Sequence, residues 1–231
     1  SKRDQLNFGI ILFCSCLLTL PFYFWGIPGG VDMPQHYQFA QTFYDSISNG
    51  IFYPSWSAET NFGYGDVGVR FYPPLTYYVL SFFRFLTGNW YEGSCFSFAF
   101  FFTVGGFGIY KWARENFNEN SSLIGALVYL IIPYHLFQIY QASLIAEFAA
   151  ASILPFCFLY STRICEKGHF SDVWRLGLTI GLLILTHLPT TVMASLAISI
   201  YVLFSLRKND FLQIIWKLSI TVIIGLFLSC F

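Results

Sequence analysis

Asp32 and His36 stand four residues apart in the run Gly30-Val31-Asp32-Met33-Pro34-Gln35-His36-Tyr37. On a helix that spacing puts both side chains on one face, a turn apart. A carboxylate so placed can take a proton from an attacking hydroxyl. An imidazole beside it can contact a substrate or a phosphate, or ligate a metal. The same aspartate also reads as the N-cap of a proline-led helix, where backbone N–H groups and the helix dipole favour its charge. Capping and base catalysis are compatible, because a carboxylate held ionised can still accept a proton. Further on, Asn61-Phe62-Gly63-Tyr64-Gly65-Asp66 leads to Arg70-Phe71-Tyr72-Pro73-Pro74-Leu75. Asp66 and Arg70 read as a local ion pair of little energetic weight, or Arg70 as a guanidinium for phosphate. Tyr72 joins Tyr53, Trp56, Tyr64, Tyr77 and Tyr78 in a set that fits an interfacial aromatic belt, with one or two rings left to stack on a sugar. The residue types also allow a divalent cation among Asp32, His36 and Asp66, although the spacing does not imply one.

Two residues far along the chain belong to the same question. Glu147 sits in Ser143-Leu144-Ile145-Ala146-Glu147-Phe148, at the end of an apolar run. An ionisable group at membrane depth is costly, so it faces a cavity or a partner, or snorkels to the interface. His187 sits in Leu185-Thr186-His187-Leu188-Pro189-Thr190, in a turn where Pro189 breaks the backbone pattern. Its imidazole is either exposed at a helix end or turned toward the same polar cavity as Glu147.

The elements that must position these groups are membrane helices. Of 231 residues, 56% are hydrophobic and only 10% charged, against roughly 25% charged in soluble domains. Net charge is zero, which leaves no basic footprint for nucleic acid. The six cysteines, at 14, 16, 95, 157, 165 and 230, form no Cys-x-x-Cys pair and read as small apolar residues. Gly-x-Gly-x-x-Gly, Walker, His-Glu-x-x-His and Gly-x-Ser-x-Gly motifs are absent from the sequence, so soluble nucleotide chemistry and zinc hydrolysis have no local support. Lys2 and Arg3 precede an apolar stretch without a small-x-small cleavage site, which reads as an uncleaved first span.

A spanning helix takes about 17–25 apolar residues, and seven segments qualify, at about 6–25, 94–112, 122–140, 143–162, 173–188, 190–206 and 211–231. The apolar segment at about 73–87 is shorter and is interrupted by Arg84, so it reads as an interfacial helix whose arginine snorkels to headgroups. If it does not cross, Lys2 and Arg3, Lys111 and Arg114, Arg163 and Lys167, and Arg207 and Lys208 share one side, the positive-inside pattern. The N-terminus is then cytoplasmic and the 26–93 loop exoplasmic in a multi-pass cell-membrane protein. A second helix is expected at about 34–49, with Phe39, Ala40, Phe43 and Ile47 on the face that lies on the outer leaflet and Gln38, Gln41 and Asp45 opposite. The chain closes inside an apolar run, and is read as a single transmembrane module, the N-terminal portion of a larger protein.

Six runs taken in order resemble one family: Gly-Val-Asp-Met-Pro-Gln-His, Asn-Gly-Ile-Phe-Tyr-Pro-Ser-Trp, Asn-Phe-Gly-Tyr-Gly-Asp, Phe-Tyr-Pro-Pro-Leu-Thr-Tyr-Tyr, Ala-Glu-Phe-Ala-Ala-Ala-Ser-Ile-Leu-Pro and Thr-His-Leu-Pro-Thr. They are similar to bacterial multi-pass proteins catalogued as 6-pyruvoyl-tetrahydropterin synthase-related membrane proteins, which resemble glycosyltransferases of the GT-C fold class. The resemblance implies a lipid-phosphate-linked sugar donor and an acidic catalytic residue in the first exoplasmic loop, a position that Asp32 matches. Tyr72-Pro73-Pro74-Leu75 matches the proline pair that opens the second juxtamembrane helix. The family often carries an arginine shortly before the glutamate that Glu147 matches, whereas Tyr140-Gln141-Ala142-Ser143 has none. The donor phosphate would then fall to Arg70, to a further segment or to a metal.

The expected architecture is an all-α integral membrane protein, a GT-C-like helical bundle with juxtamembrane helices in its first outer loop. The expected activity is sugar transfer from a polyprenyl-phosphate donor in the membrane lipid to an acceptor at the outer face, with inversion. Asp32 would be the base, and His36, Asp66, Arg70, Tyr72, Glu147 and His187 would contact substrate. A lipid-linked glycan transporter or flippase subunit, and a catalytically inactive GT-C scaffold, are the alternatives.

Overall fold

The computed structural model describes residues 2–205 and 211–230. Among the described residues the chain is helical throughout, apart from loops and one isolated antiparallel bridge between Ser57 and Asp66. The helices are α1 (Lys2–Trp25), α2 (Met33–Ser48), α3 (Leu75–Thr87), α4 (Trp90–Ala113), α5 (Glu119–Leu130), α6 (Pro133–Phe137), α7 (Ile145–Glu166), α8 (Phe170–Ile184), α9 (Leu188–Ser205) and α10 (Phe211–Leu228). Six segments among the described residues are long and apolar enough to cross a membrane: α1, α4, Glu119–Ala142, α7, α9 and α10. The protein is an all-α integral membrane protein.

The seventh expected span, 173–188, forms the shorter α8, of 15 residues. Its first turn is spent on a charged pair, Arg175 to Asp172 at 3.0 Å, and its last apolar residues leave the helix before His187. Gly177, Gly181 and Gly225 let α8 and α10 pack backbone to backbone. A Cβ on Gly177 would stand 2.7 Å from Ile224 Cβ, and one on Gly225 would stand 2.7 Å from Ile180 Cγ2. In lipid, helix association gains by such close packing and not by leaving water.

The expected 122–140 span is interrupted. Pro133 cannot continue the hydrogen-bond ladder of α5, and the residue before it, Ile132, takes an extended conformation. His135 donates from Nδ1 to the Tyr129 carbonyl at 2.8 Å, satisfying an acceptor near the break. The chain then forms a π-helical turn, Gln138–Ala142, and stops at Ser143, whose φ is 59°.

The central helix is α4, packed against α1, α3, α5 and α7. Phe98, Phe101, Phe102, Ile11, Leu130 and Phe148 build the core around it. Gly93 brings α3 against α4, since a Cβ there would lie 2.8 Å from the Arg84 amide nitrogen. At one end of the bundle the helices exchange charges: Arg3 reaches Glu119 at 3.0 Å, and Arg163 and Lys167 both reach the nearly buried Glu115. Arg207 and Lys208, part of the charge pattern read from sequence, lie outside the described residues. The opposite end holds α2, α3 and the loop between them.

Candidate functional site

Asp32 is placed by three contacts just before it. Gly26 N–H closes α1 on the Phe22 carbonyl at 2.8 Å, Val31 N–H donates to the Ala142 carbonyl at 3.2 Å, and Ser143 Oγ donates to the Pro28 carbonyl at 3.3 Å. Gly30 makes the approach possible. Its φ is +49°, and a Cβ would fall 2.0 Å from Ser143 Oγ. The first loop is thus seated on the end of the π-helical turn. Tyr91 fixes the same corner by donating its hydroxyl to the carbonyls of Phe22 and Tyr23.

The Asp32 carboxylate does not cap α2, although the sequence suggests that role. Two features explain this. Pro34, in the first turn, has no N–H to give, and Asp32 itself sits in the right-handed helical region (φ −104°, ψ −3°) instead of the extended conformation of a capping residue. The half-buried side chain is left for its neighbours, and its charge acts on His36, Tyr72 and Tyr77.

His36 is 3% exposed. Its Nδ1 lies 3.0 Å from the Tyr77 hydroxyl, and Tyr72 meets the ring edge-on at 5.9 Å between centroids. Burial pushes the imidazole down to about 4, against an upward pull from Asp32 and a further lowering by His187. Burial also drives the Tyr77 hydroxyl far above its ordinary range. The two groups share one hydrogen bond in which either the phenol or Nδ1 can donate.

α3 carries Tyr77 into this position because Leu75 N–H donates to the Leu185 carbonyl at 2.8 Å. That bond ties the start of α3 to the end of α8 and brings the 185–187 turn beside the loop. His187 Nδ1 lies 2.7 Å from Thr190 Oγ1 and accepts from Thr190 N–H at 3.4 Å. Its pKa is lowered by burial and raised in part by Glu147. Glu147 lies in the first turn of α7 and accepts from the Tyr134 hydroxyl at 2.5 Å. Asp32 acts on His36, His187 acts on His36, and Glu147 acts on His187. Residues from three separate parts of the sequence are in electrostatic reach at one end of the bundle.

Asp66, Arg70 and the aromatic face of α2 are arranged differently. Asp66 Oδ1 accepts from Gly68 N–H at 2.8 Å and its backbone pairs with Ser57. Arg70 is exposed, and its carbonyl accepts from the Tyr53 hydroxyl at 2.9 Å. Among the described residues no ion pair joins Asp66 to Arg70, and no three His, Cys, Asp or Glu side chains group so as to hold a metal, the trio Asp32, His36 and Asp66 included. Phe39, Ala40 and Phe43, expected to lie on the lipid leaflet, are buried instead against Tyr77, Leu80 and Val69. Arg84, expected to snorkel, lies over the rings of Tyr44 and Trp90 at 5.2 and 5.8 Å. Sequence reasoning missed Tyr77 and Tyr134 as partners of His36 and Glu147. For neither does the sequence offer more than nearby proline, Pro73-Pro74 before Tyr77 and Pro133 before Tyr134.

Fold and site define a multi-pass helical membrane protein with a cluster of acids and imidazoles at one end of its bundle. Residues 69–231 match the model of a family described as 6-pyruvoyl-tetrahydropterin synthase related domain, membrane protein, and the chain belongs to that family. The match begins after Asp32, His36 and Asp66 and includes Arg70, Tyr72, Glu147 and His187. Over 232 aligned residues the chain is 25% identical to a protein of Lactococcus lactis subsp. cremoris (strain MG1363) that bears the name "Uncharacterized protein". That alignment covers 94% of this chain and 37% of the Lactococcus protein, so the chain spans little more than a third of its relative's length. No solved structure matches.

Proposed function

We propose that this chain is the catalytic portion of a GT-C-type glycosyltransferase that moves a sugar from a polyprenyl-phosphate donor to an acceptor at the outer membrane face. The observation that supports it is the 2.8 Å hydrogen bond from Leu75 N–H to the Leu185 carbonyl, which sets the α8–α9 turn beside the first loop, with Asp32 and His187 in electrostatic reach of His36 and Glu147 in reach of His187. In the reaction, an acceptor hydroxyl oxygen attacks the anomeric carbon as the bond from that carbon to the donor phosphate breaks. Asp32 takes the hydroxyl proton and the carbon is inverted. Lipid phosphate leaves as an anion and needs donors aimed at it. His36 supplies one through its imidazole N–H, and Arg70 supplies charge from the loop. Tyr72 and Glu147 border the sugar, with His187 between them. Asp66 serves by shaping the loop that carries Arg70. The helix ends that bear Arg3, Arg163 and Lys167 face the cytoplasm in this reading.

The test is Asp32→Asn in purified protein supplied with radiolabelled polyprenyl-phosphate sugar and membrane acceptor lipid. Transfer falls by about 10²–10⁴-fold while the melting temperature holds. Undiminished transfer removes Asp32 as the base. A lipid-linked glycan transporter is the second reading. It draws on the interrupted Glu119–Ala142 segment, since broken helices border transport paths. Proteoliposomes separate the two: a transporter moves the labelled lipid between leaflets without consuming it.

A further inference from the structure

α2 has a second polar face. His36, Phe39, Ala40 and Phe43 turn inward, while Gln38, Gln41 and Asp45 turn the other way and form one wall of a cleft of about 460 Å³. The other wall is the turn holding Trp56, Glu59 and Thr60. Pro34, two residues from Asp32, closes one end.

This cleft has a constructed frame. Ser57 and Asp66 exchange backbone hydrogen bonds at 2.9 and 3.0 Å, Thr60 Oγ1 donates to the Ser57 carbonyl at 2.8 Å, and the Thr42 and Ser57 hydroxyls meet at 2.5 Å, pinning the turn to α2. Gly65, at φ +79°, lies against the Trp56 indole so closely that a Cβ would sit 2.2 Å from Cζ2. The glycine gives the ring a flat backbone bed, and the indole remains 53% exposed. Gln41 Nε2 donates to both Asp45 oxygens at 2.8 and 2.9 Å, while Gln41 Oε1 accepts from Trp90 Nε1 at 2.7 Å. The carboxylate is therefore aimed before any ligand arrives. Two carboxylates line the cleft and, among the described residues, no lysine or arginine does. Anions are disfavoured on that ground.

A bedded indole beside an oriented carboxylate, with a second carboxylate across the cleft, is the chemistry that recognises a pyranose, whose C–H face stacks on the ring while its hydroxyls donate to the acids. We infer that this cleft binds an uncharged glycan, stacked on Trp56 with its hydroxyls donating to Asp45 and Glu59. The inference supplies an acceptor site for the proposed transfer, and rests on that reading only for what happens to the glycan after it binds.

The test overlays the chain, purified in nanodiscs, on a printed array of neutral, amine-bearing and acidic glycans. Trp56→Ala and Trp56→Phe proteins of matched melting temperature are run beside it. Neutral oligosaccharides are retained, Trp56→Ala weakens retention by about tenfold and Trp56→Phe by less, as expected for one lost stacking contact. Retention of no neutral glycan, equal retention by Trp56→Ala, or preference for acidic or amine-bearing glycans overturns the inference. Glycan binding without transfer by the unaltered chain would remove the proposed function and leave the cleft. Transfer without array binding would do the reverse.

Discussion

His36 is held neutral by its burial, which outweighs the upward pull of Asp32, and its Nδ1 shares a hydrogen bond with the Tyr77 hydroxyl. Removing the hydroxyl leaves a buried ring nitrogen without a partner. Tyr77→Phe is expected to destabilise the protein by about 1–3 kcal/mol, read as a lowered melting temperature in detergent. The same burial sets an acid limit. The imidazole binds its proton at about 4 in the folded chain and at 6.5 when free. Between those values the unfolded chain takes up a proton that the folded chain refuses, so stability falls as pH drops through that window. His36→Gln, which carries no titrating ring, should flatten the melting-temperature curve there, and an unchanged slope would show that His36 is not its source. Of the residues singled out from sequence, Asp32 and His36 were legible together because helical spacing alone puts them on one face. Tyr77 was not, because nothing in a run of aromatic residues tells which hydroxyl turns inward.

Elements are joined at this site by backbone contacts that a linear reading does not reveal. The seat of the first loop on the π-helical turn depends on Gly30 lacking a Cβ and on Ser143 holding a positive φ. Gly30→Ala should lower stability by more than the roughly 1–2 kcal/mol that a left-handed backbone costs a residue bearing a Cβ, since strain and a clash act together. Adding Ser143→Gly removes the side chain that the new methyl meets, and should restore part of the loss. Additive effects in that double-mutant cycle would contradict the contact. The interruption at Pro133 was hidden for a related reason. The apolar run continues through the break, so hydropathy reads one span where the backbone makes a helix, a short helix and a wider turn. The segment at 173–188 was read with shifted bounds: its helix starts earlier, at Phe170, and leaves before His187. Likewise the apolar stripe of α2 announced an amphipathic helix without saying that α3, and not lipid, covers it.

For the whole molecule, the composition was enough to establish a helical membrane protein, and the charge pattern separated the two ends of the bundle. Ion pairs around Glu115 and Glu119 gather at one end, and the loop with its acids and imidazoles at the other. What composition could not supply is the joining of distant segments, which arises from the Leu75–Leu185 and Val31–Ala142 hydrogen bonds. If those bonds assemble one site, His36 must sense charges that lie far from it in sequence. The direct measurement is its protonation, followed by nitrogen NMR of histidine-labelled protein in nanodiscs, a tractable spectrum with four histidines in the chain. Asp32→Asn should shift the His36 titration down, because the carboxylate raises it, and His187→Gln should shift it up, because the second imidazole lowers it. A His36 titration that neither substitution moves would mean that the segments do not meet, and that no common site exists at this end of the bundle.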